Sequence, residues 1–255
     1  MDSGEMRLGK AAPRYDPATL KLARYLDVAT VLPQIPPATT RAKDLAITWP
    51  MFANDRMGDC TCAAMGHMSM FWSALANEPS LLLTDTEIVG AYSAITGYDP
   101  ATGQNDQGAV ELDVLRWWQQ NGLSGHKISA FAAINLANHA MLKAAIYLFD
   151  GAYLGVALPA SAKGASAWNF LPGTGSMANP GSWGGHAVNA VDYDDIGVYL
   201  ISWGRVYLAS WDFLDNYMDE AYAVLAPEAI NVAAGKTAEG FDLTSLLADL
   251  PNLAG

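Results

Sequence analysis

Residues 54–63 read NDRMGDCTCA, a polar turn that leads directly into an apolar stretch. From Cys60 to about Ala76, small and apolar residues continue without proline and with one glycine, which predicts a buried helix. Gly58 and Asp59 supply a turn and an N-cap at its start. We therefore expect Cys60 on the first turn of this helix, where the helix dipole and free N–H groups favour a thiolate.

A second polar feature lies much later in the chain. Residues 184–193 read GGHAVNAVDY and follow a loop, 163–185, that is rich in glycine, serine, proline and tryptophan. This pattern predicts a strand that begins near His186, and the turn residues 194–197 connect it to a second strand over 198–203. A histidine at this strand end can face the helix that carries Cys60, which pairs a nucleophile with a base.

The other elements define the fold class. Residues 84–87 read TDTE, a capping box that starts a second helix. Further helices are predicted over 110–120 and 134–149, and strands over 152–158 and 222–225. Because the helices precede the strands, we expect an α+β fold with two lobes.

Composition excludes several classes of protein. The 255 residues are 51% hydrophobic and 16% charged, which is typical of a globular chain. Fourteen Lys+Arg against 26 Asp+Glu give a net charge of -12, which argues against nucleic acid as a partner. With neither a signal peptide nor an apolar run of about 18 residues, we expect a cytoplasmic or virion-associated protein without a membrane span.

These segments resemble the papain-like cysteine peptidases. In that family a Gln lies six residues before the catalytic Cys and a Gly two before it, and Asn54, Gly58 and Cys60 reproduce this spacing with Asn in place of Gln. The His186 segment is similar to the family's His-Ala-Val strand. Residues 202–204, SWG, are similar to its Asn-Ser-Trp-Gly segment. The resemblance covers about residues 48–225 and implies a helical lobe packed on an antiparallel sheet or barrel lobe.

The resemblance also implies roles for individual residues. Cys60 would be the nucleophile and His186 the general base and acid, while the Asn54 amide and the Cys60 backbone N–H would form the oxyanion hole. It implies a peptide or protein substrate and no cofactor or metal. The residues expected to line the substrate cleft are Gly58, Asp59, Gln107, Gly108 and Gly185.

Two departures from the family bear on activity. The Asn that orients the family's histidine falls on Ile201, or on Ser202 if the hairpin slides by one residue, so we expect a Cys–His dyad with Trp203 shielding the histidine. Only about 50 residues precede the cysteine motif, fewer than the family's long inhibitory pro-segment, so we expect no regulation by its removal. The predicted division is a lead-in at 1–47, a domain at 48–225 with lobes at about 60–149 and 150–225, and a tail at 226–255.

Other interpretations remain beside the catalytic one. A buried cysteine is commonly a small core residue, which is our expectation for Cys62, and His67 is expected to be a core histidine. A zinc site built from Cys60, Cys62 and His67 lacks a fourth ligand. The missing orienting Asn and the aromatic loop 163–185 also fit a degenerate papain-like fold that serves as a binding or structural assembly protein, such as a virion component.

Overall fold

A computed structural model describes residues 6–28, 32–45, 47–76, 81–227, 230–231 and 236–249. The first part of the chain is largely helical, as predicted. Its elements are β1 (Leu20–Lys21), α1 (Leu22–Val28), α2 (Arg41–Asp44), α3 (Cys60–Leu75), α4 (Asp85–Thr96) and α5 (Glu111–Asn121).

The second part of the chain supplies most of a seven-stranded sheet. Its elements are β2 (Ala130–Ala133), α6 (His139–Leu148), β3 (Ala152–Leu158), β4 (Gly184–Tyr193), β5 (Gly197–Ser202), β6 (Arg205–Ser210), α7 (Trp211–Tyr217), β7 (Met218–Leu225), β8 (Ile230–Asn231), β9 (Lys236–Thr237) and α8 (Thr244–Asp249). The strand order in the sheet is β1-β2-β7-β3-β4-β5-β6, and all neighbours except β1 and β2 are antiparallel. The α+β fold class predicted from the sequence is confirmed.

Helix α3 is the central element of the helical half. Its residues from Cys60 to Ser73 are all buried, because α4 and α5 pack beside it and strand β4 lies across it. Asp59 is the N-cap residue, and its carbonyl accepts the backbone N–H groups of Cys62 and Ala63. The prediction of a buried helix that starts at Cys60 is confirmed.

Strand β4 joins the two hydrophobic cores because its side chains alternate between the faces of the sheet. Ala187 and Val191 belong to the core formed with α3, whereas Val188 and Ala190 belong to the core on the opposite face. The buried Asn189 amide donates to the carbonyl of Ala64, 2.6 Å away, on the second turn of α3. This bond fixes β4 against the start of the helix that carries Cys60.

Several boundaries differ from the sequence-based ones. Residues 130–149, expected in the helical lobe, form β2, which pairs with β7, and α6, which packs on β3 and β4. The expected lead-in and tail also contribute to the core, since Leu22, Phe241 and Leu243 are fully buried. The limits of the domain itself stay a prediction. The described part of the chain has no helix with the length and apolar character needed to cross a membrane.

Candidate active site

Cys60 lies at the start of α3, where it is covered on all sides. Only 1% of its surface is exposed, and the backbone N–H groups of Ala187 and Gly9 face its sulfur. Burial raises the pKa of the Cys60 thiol to about 12, and the two N–H groups offset this only in part. In this state Cys60 is therefore a neutral thiol at pH 7.

His186, the residue before Ala187 on β4, is fully buried. Its Nε2 lies 2.6 Å from Ser202 Oγ, and its ring stacks on Trp203 with centroids 3.9 Å apart and planes at 15°. Burial lowers the pKa of His186 to about 3, so the ring is neutral at pH 7. A hydrogen bond donated by Nε2 leaves the lone pair on Nδ1, which has no hydrogen-bond partner among the described residues.

The two residues predicted to react lie at the same crossing of α3 and β4. The Cys60 sulfur faces the backbone of Ala187, directly beside His186. No hydrogen bond joins the sulfur to either ring nitrogen, because Nε2 is taken by Ser202 and Nδ1 has no partner within the described chain. The structure thus gives a histidine with one oriented nitrogen and one free nitrogen, next to a covered thiol.

The side chain that hydrogen-bonds to the His186 ring is Ser202. Ile201 pairs with Asn189 in the sheet and its side chain is fully buried in the core with α3, so it cannot reach the imidazole. Strand alternation turns the next side chain, Ser202, to the His186 face. The sequence alone did not decide between Ile201 and Ser202 as the partner of His186, and the pairing register of β4 and β5 decides for Ser202.

Trp203 is held over the histidine by a strained turn. Strands β5 and β6 are joined by the two residues Trp203 and Gly204, both with positive φ, 44° and 71°. Such two-residue turns favour Asn or Gly at the first position, and a bulky aromatic residue there is a backbone outlier. Stacking on His186 and edge contact with Trp168 hold the indole in place.

Asn54, the predicted oxyanion-hole residue, is buried in a tight turn. Phe52 and Ala53 before it have positive φ, 55° and 65°. The Asn54 amide donates to the Met57 carbonyl at 3.2 Å and, at 3.4 Å, to the carbonyl of Arg7. The amide is therefore occupied by an N-terminal residue in this state.

Residues 7–11, here named the cleft segment, run between the two halves of the molecule over Cys60. On the helical side, Arg7 N–H donates to the Asn54 carbonyl at 3.0 Å, and Ala109 N–H donates to the Gly9 carbonyl at 2.8 Å. On the sheet side, Lys10 N–H donates to the Gly185 carbonyl at 3.1 Å. The lead-in therefore contributes residues 7–11 to the cleft, and the absence of regulation by removal of a pro-segment stays a prediction.

Glycines let the cleft segment approach this closely. A Cβ placed on Gly9 would lie 1.7 Å from the Gly58 carbonyl oxygen, and one placed on Gly108 would lie 2.0 Å from the Gly9 oxygen. A Cβ on Gly185 would lie 2.3 Å from the Lys10 oxygen. Gly58, Gly108 and Gly185, three of the residues predicted to line the cleft, thus contact the segment that lies in it.

The other two predicted cleft residues are Gln107 and Asp59. Gln107 is exposed at the rim, where it lines a shallow cavity with Ala11. Asp59 is fully buried next to Gly58 and Cys60, and its part in the cleft stays a prediction. Burial raises the pKa of Asp59 to about 8, so its carboxyl is protonated at pH 7.

Sequence reasoning missed Lys10 and the hydrogen bonds made by Asp106, which it placed only in the loop 105–108 expected to line the cleft. Asp106 Oδ1 accepts the Gly58 N–H and the Tyr92 hydroxyl, each at 2.9 Å, which ties the loop before Gly108 to the start of α3. Lys10 is the buried cation of the cleft segment. Gly9 and Lys10 lie outside every predicted helix and strand, so no sequence pattern marked either of them as part of a site. Among the described residues, no group of His, Cys, Asp or Glu side chains is arranged to hold a metal ion.

No protein-family model and no curated protein matches the chain. Solved structures do match. Xylellain, a cysteine protease from Xylella fastidiosa, superposes with a TM-score of 0.63 at 13% identity, over 88% of this chain and 98% of xylellain. The cysteine protease and lectin-like domains of Cwp84, a surface layer associated protein of Clostridium difficile, match with a TM-score of 0.58 at 12% identity, over 89% of this chain and 57% of that one.

A third cysteine protease also superposes on the chain. The Carica candamarcensis cysteine protease CMS1MS2 matches with a TM-score of 0.51 at 13% identity, over 75% of this chain and 99% of that protein. At such identities the likeness concerns the fold. The chain has the fold of the papain-like cysteine proteases.

Proposed function

We propose that the protein is a cysteine peptidase or related amide hydrolase that is latent while its cleft segment is in place. The observation that carries the proposal is that a peptide already lies in the cleft. Residues 7–11 are paired through their backbone with Asn54 on one side and Gly185 on the other, directly over Cys60. A cleft that holds one extended peptide by its backbone can hold another of different sequence.

The residues around the cleft can perform acyl transfer once it is open. His186 Nδ1 takes the Cys60 thiol proton, and the sulfur attacks the substrate carbonyl carbon. The Cys60 backbone N–H and the Asn54 amide, freed from Arg7, stabilise the oxyanion. The protonated His186 then gives its proton to the leaving amine as the C–N bond breaks. Water hydrolyses the resulting thioester, with His186 again acting as base.

The covered state is chemically inert for two reasons. Gly9 occupies the space above the sulfur, so no carbonyl can approach it. Burial also holds the Cys60 pKa near 12 and the His186 pKa near 3, which favours the thiol and neutral imidazole over an ion pair. Water that enters on opening reduces the desolvation that causes both shifts.

The proposal is tested with a chain whose cleft segment is displaced by Gly9→Ala. We expect this chain to hydrolyse a mixed peptide library and its Cys60→Ala form to be inactive. Cys62→Ala is the matched control, because Cys62 is equally buried on the same helix turn but belongs to the core. Equal hydrolysis by the Cys60→Ala and Cys62→Ala forms would refute Cys60 as the nucleophile. No feature of the site favours the structural assembly alternative.

A further inference from the structure

The side chain of Lys10 ends among carboxyl groups. Its Nζ lies 2.9 Å from Asp219 Oδ2 and 3.1 Å from Glu220 Oε1, and it also donates to the Ala11 carbonyl at 3.2 Å. Only 1% of the lysine side chain is exposed. A buried ammonium is stable only where opposite charges and acceptors replace its water, and this pocket supplies them.

The pocket contains one more carboxyl group than the two that Lys10 contacts directly, and burial raises the pKa of this third group, Glu111, well above its usual range. Glu111 is fully buried, acts electrostatically on Lys10, and has no hydrogen-bond partner for either carboxyl oxygen within the described residues. Tyr222 donates to Glu220 Oε2 at 3.0 Å and orients that carboxylate. Three carboxyl groups, those of Glu111, Asp219 and Glu220, therefore surround one cation, and we name them the acidic pocket.

The shape of the acidic pocket suits a long side chain. Its floor is the backbone of Gly155 on β3, where a Cβ would lie 2.1 Å from Lys10 Cε and 2.6 Å from Glu220 Cγ. Any other residue at this position would fill the channel through which the lysine stem passes. The glycine and the carboxyl groups together define the narrow space that holds the Lys10 side chain, one residue away from Gly9, whose N–H faces the Cys60 sulfur.

We infer that the acidic pocket selects a lysine or arginine side chain in the peptide that lies over Cys60, so that substrates carry a basic residue beside the one above the sulfur. The inference rests on the proposed function and names its substrate class. Lys10 follows Gly9, whose N–H faces the sulfur, and this sets the position of the basic residue. The unpartnered Glu111 oxygens can accept the additional N–H groups of arginine.

A neutral occupant of the same shape leaves the carboxylates without a cation, which is the basis of the selection. Charge-assisted hydrogen bonds and the cost of an uncompensated buried charge predict about a 10- to 100-fold preference for Lys or Arg over Met. Glutamate at the same position adds a like charge and is expected to be excluded. The Asp219 and Glu220 carboxylates, which contact the ammonium directly, carry most of this preference.

The first test uses the cleft segment of the full chain as the occupant and requires no peptidase activity. Opening of the segment is measured as the rate at which iodoacetamide alkylates Cys60, with Cys60→Ala as the blank. We expect Lys10→Arg to stay protected, Lys10→Met to react at least about tenfold faster, and Lys10→Glu faster still. The exposed Lys163→Met is the matched control and should react like the parent chain.

A second variant assigns the effect to the pocket. The Lys10→Met effect should shrink when Glu220 is Gln, because one of the carboxylates that needs the cation is then neutral. Equal protection by Lys10, Lys10→Arg and Lys10→Met would overturn the inference. So would a Lys10→Met effect that is unchanged by Glu220→Gln.

A second test uses substrates. The Gly9→Ala chain is given a positional library of peptides, and we expect Lys and Arg to exceed norleucine at one position by about tenfold or more. Hydrolysis without a basic preference would refute the acidic pocket as a selector and leave the peptidase proposal standing. If the Lys10 variants differ in alkylation rate as expected but no peptide of the library is hydrolysed, the peptidase proposal is refuted and the acidic pocket remains as a selective peptide-binding site.

Discussion

Gly9→Ala should expose Cys60 in an otherwise intact protein. The new Cβ would lie 1.7 Å from the Gly58 carbonyl oxygen, whereas real Cβ atoms do not approach closer than 3.0 Å, so the backbone must move by 3.0 − 1.7 = 1.3 Å or more. The φ of Gly9 lies outside the left-handed region, so alanine causes no backbone strain there, and the steric clash with Gly58 alone displaces the segment.

The size of the effect follows from the bonds that this movement breaks. The Arg7–Asn54, Ala109–Gly9 and Lys10–Gly185 backbone bonds are 3.0, 2.8 and 3.1 Å long, and a displacement of this size takes them out of hydrogen-bond range. At about 1 kcal/mol net for each, the segment loses about 3 kcal/mol of its docking free energy. The population of open molecules should then rise roughly 100-fold.

The assay is the rate of iodoacetamide alkylation of Cys60 at pH 7, followed by mass spectrometry. Gly90→Ala is the control, because a Cβ at this position on α4 has no atom within 4 Å, and its alkylation rate should match the parent chain. Gly185→Ala strikes the Lys10 carbonyl from the sheet side and should act like Gly9→Ala. If both cleft variants fold, by circular dichroism, and react at the parent rate, the cleft segment does not cover the sulfur as described.

Three other substitutions test the polar groups around the site. Ser202→Ala in the Gly9→Ala chain should lower the alkylation rate of Cys60 by roughly 10- to 1,000-fold, since His186 loses the hydroxyl that orients its ring. The control Ser69→Ala also removes a buried serine hydrogen bond and should leave the rate unchanged, so a similar loss in both variants would contradict the orienting role of Ser202. The free energy of unfolding of Asp59→Asn should exceed that of the parent chain by an amount that grows from about pH 4 to 8, by up to about 1.4 kcal/mol per pH unit, because the folded parent keeps a proton on Asp59 that the unfolded parent releases. Equal differences in urea unfolding at pH 5 and pH 8 would refute this prediction. Burial lowers the pKa of His67 to about 4, so the unfolded chain binds a proton that the folded chain does not, and the parent should lose stability relative to His67→Gln as pH falls from about 6.5 to 4. Parallel curves of stability against pH for the two chains would argue against a buried neutral His67 ring.

The sequence predicts the elements whose pattern is local. Helix α3 is predictable because its apolar residues are continuous and follow a polar turn, so both its burial and the place of Cys60 follow. The capping role expected of the Asp59 side chain is not seen, because that side chain makes no capping hydrogen bond. The β4–β5 hairpin is predictable for the same reason, since apolar runs flank the turn residues 194–197. Strand β2 is four residues long and mainly alanine, which gives no periodic signal, and it forms only because β7 offers a free edge.

The parts of the site that depend on distant pairing could not be predicted. The choice between Ile201 and Ser202 as the orienting residue depends on a one-residue register that the sequence pattern does not specify. The cleft segment has no secondary-structure pattern, and its position depends on backbone bonds to residues about 50, 100 and 175 positions later in the chain. The acidic pocket combines Glu111 with residues of β7, so its charges are scattered in the sequence.

The pH dependence of Cys60 alkylation in the Gly9→Ala chain, measured with and without His186→Ala, tests most directly whether the two residues react as a pair. With His186 present, we predict a rate that rises at acidic pH to a plateau at neutral pH, because the imidazole holds the thiol proton and stabilises a thiolate. With His186→Ala, the rate should rise only near the ordinary thiol pKa of about 8.5. Superimposable profiles for the two chains would contradict the pairing of Cys60 with His186.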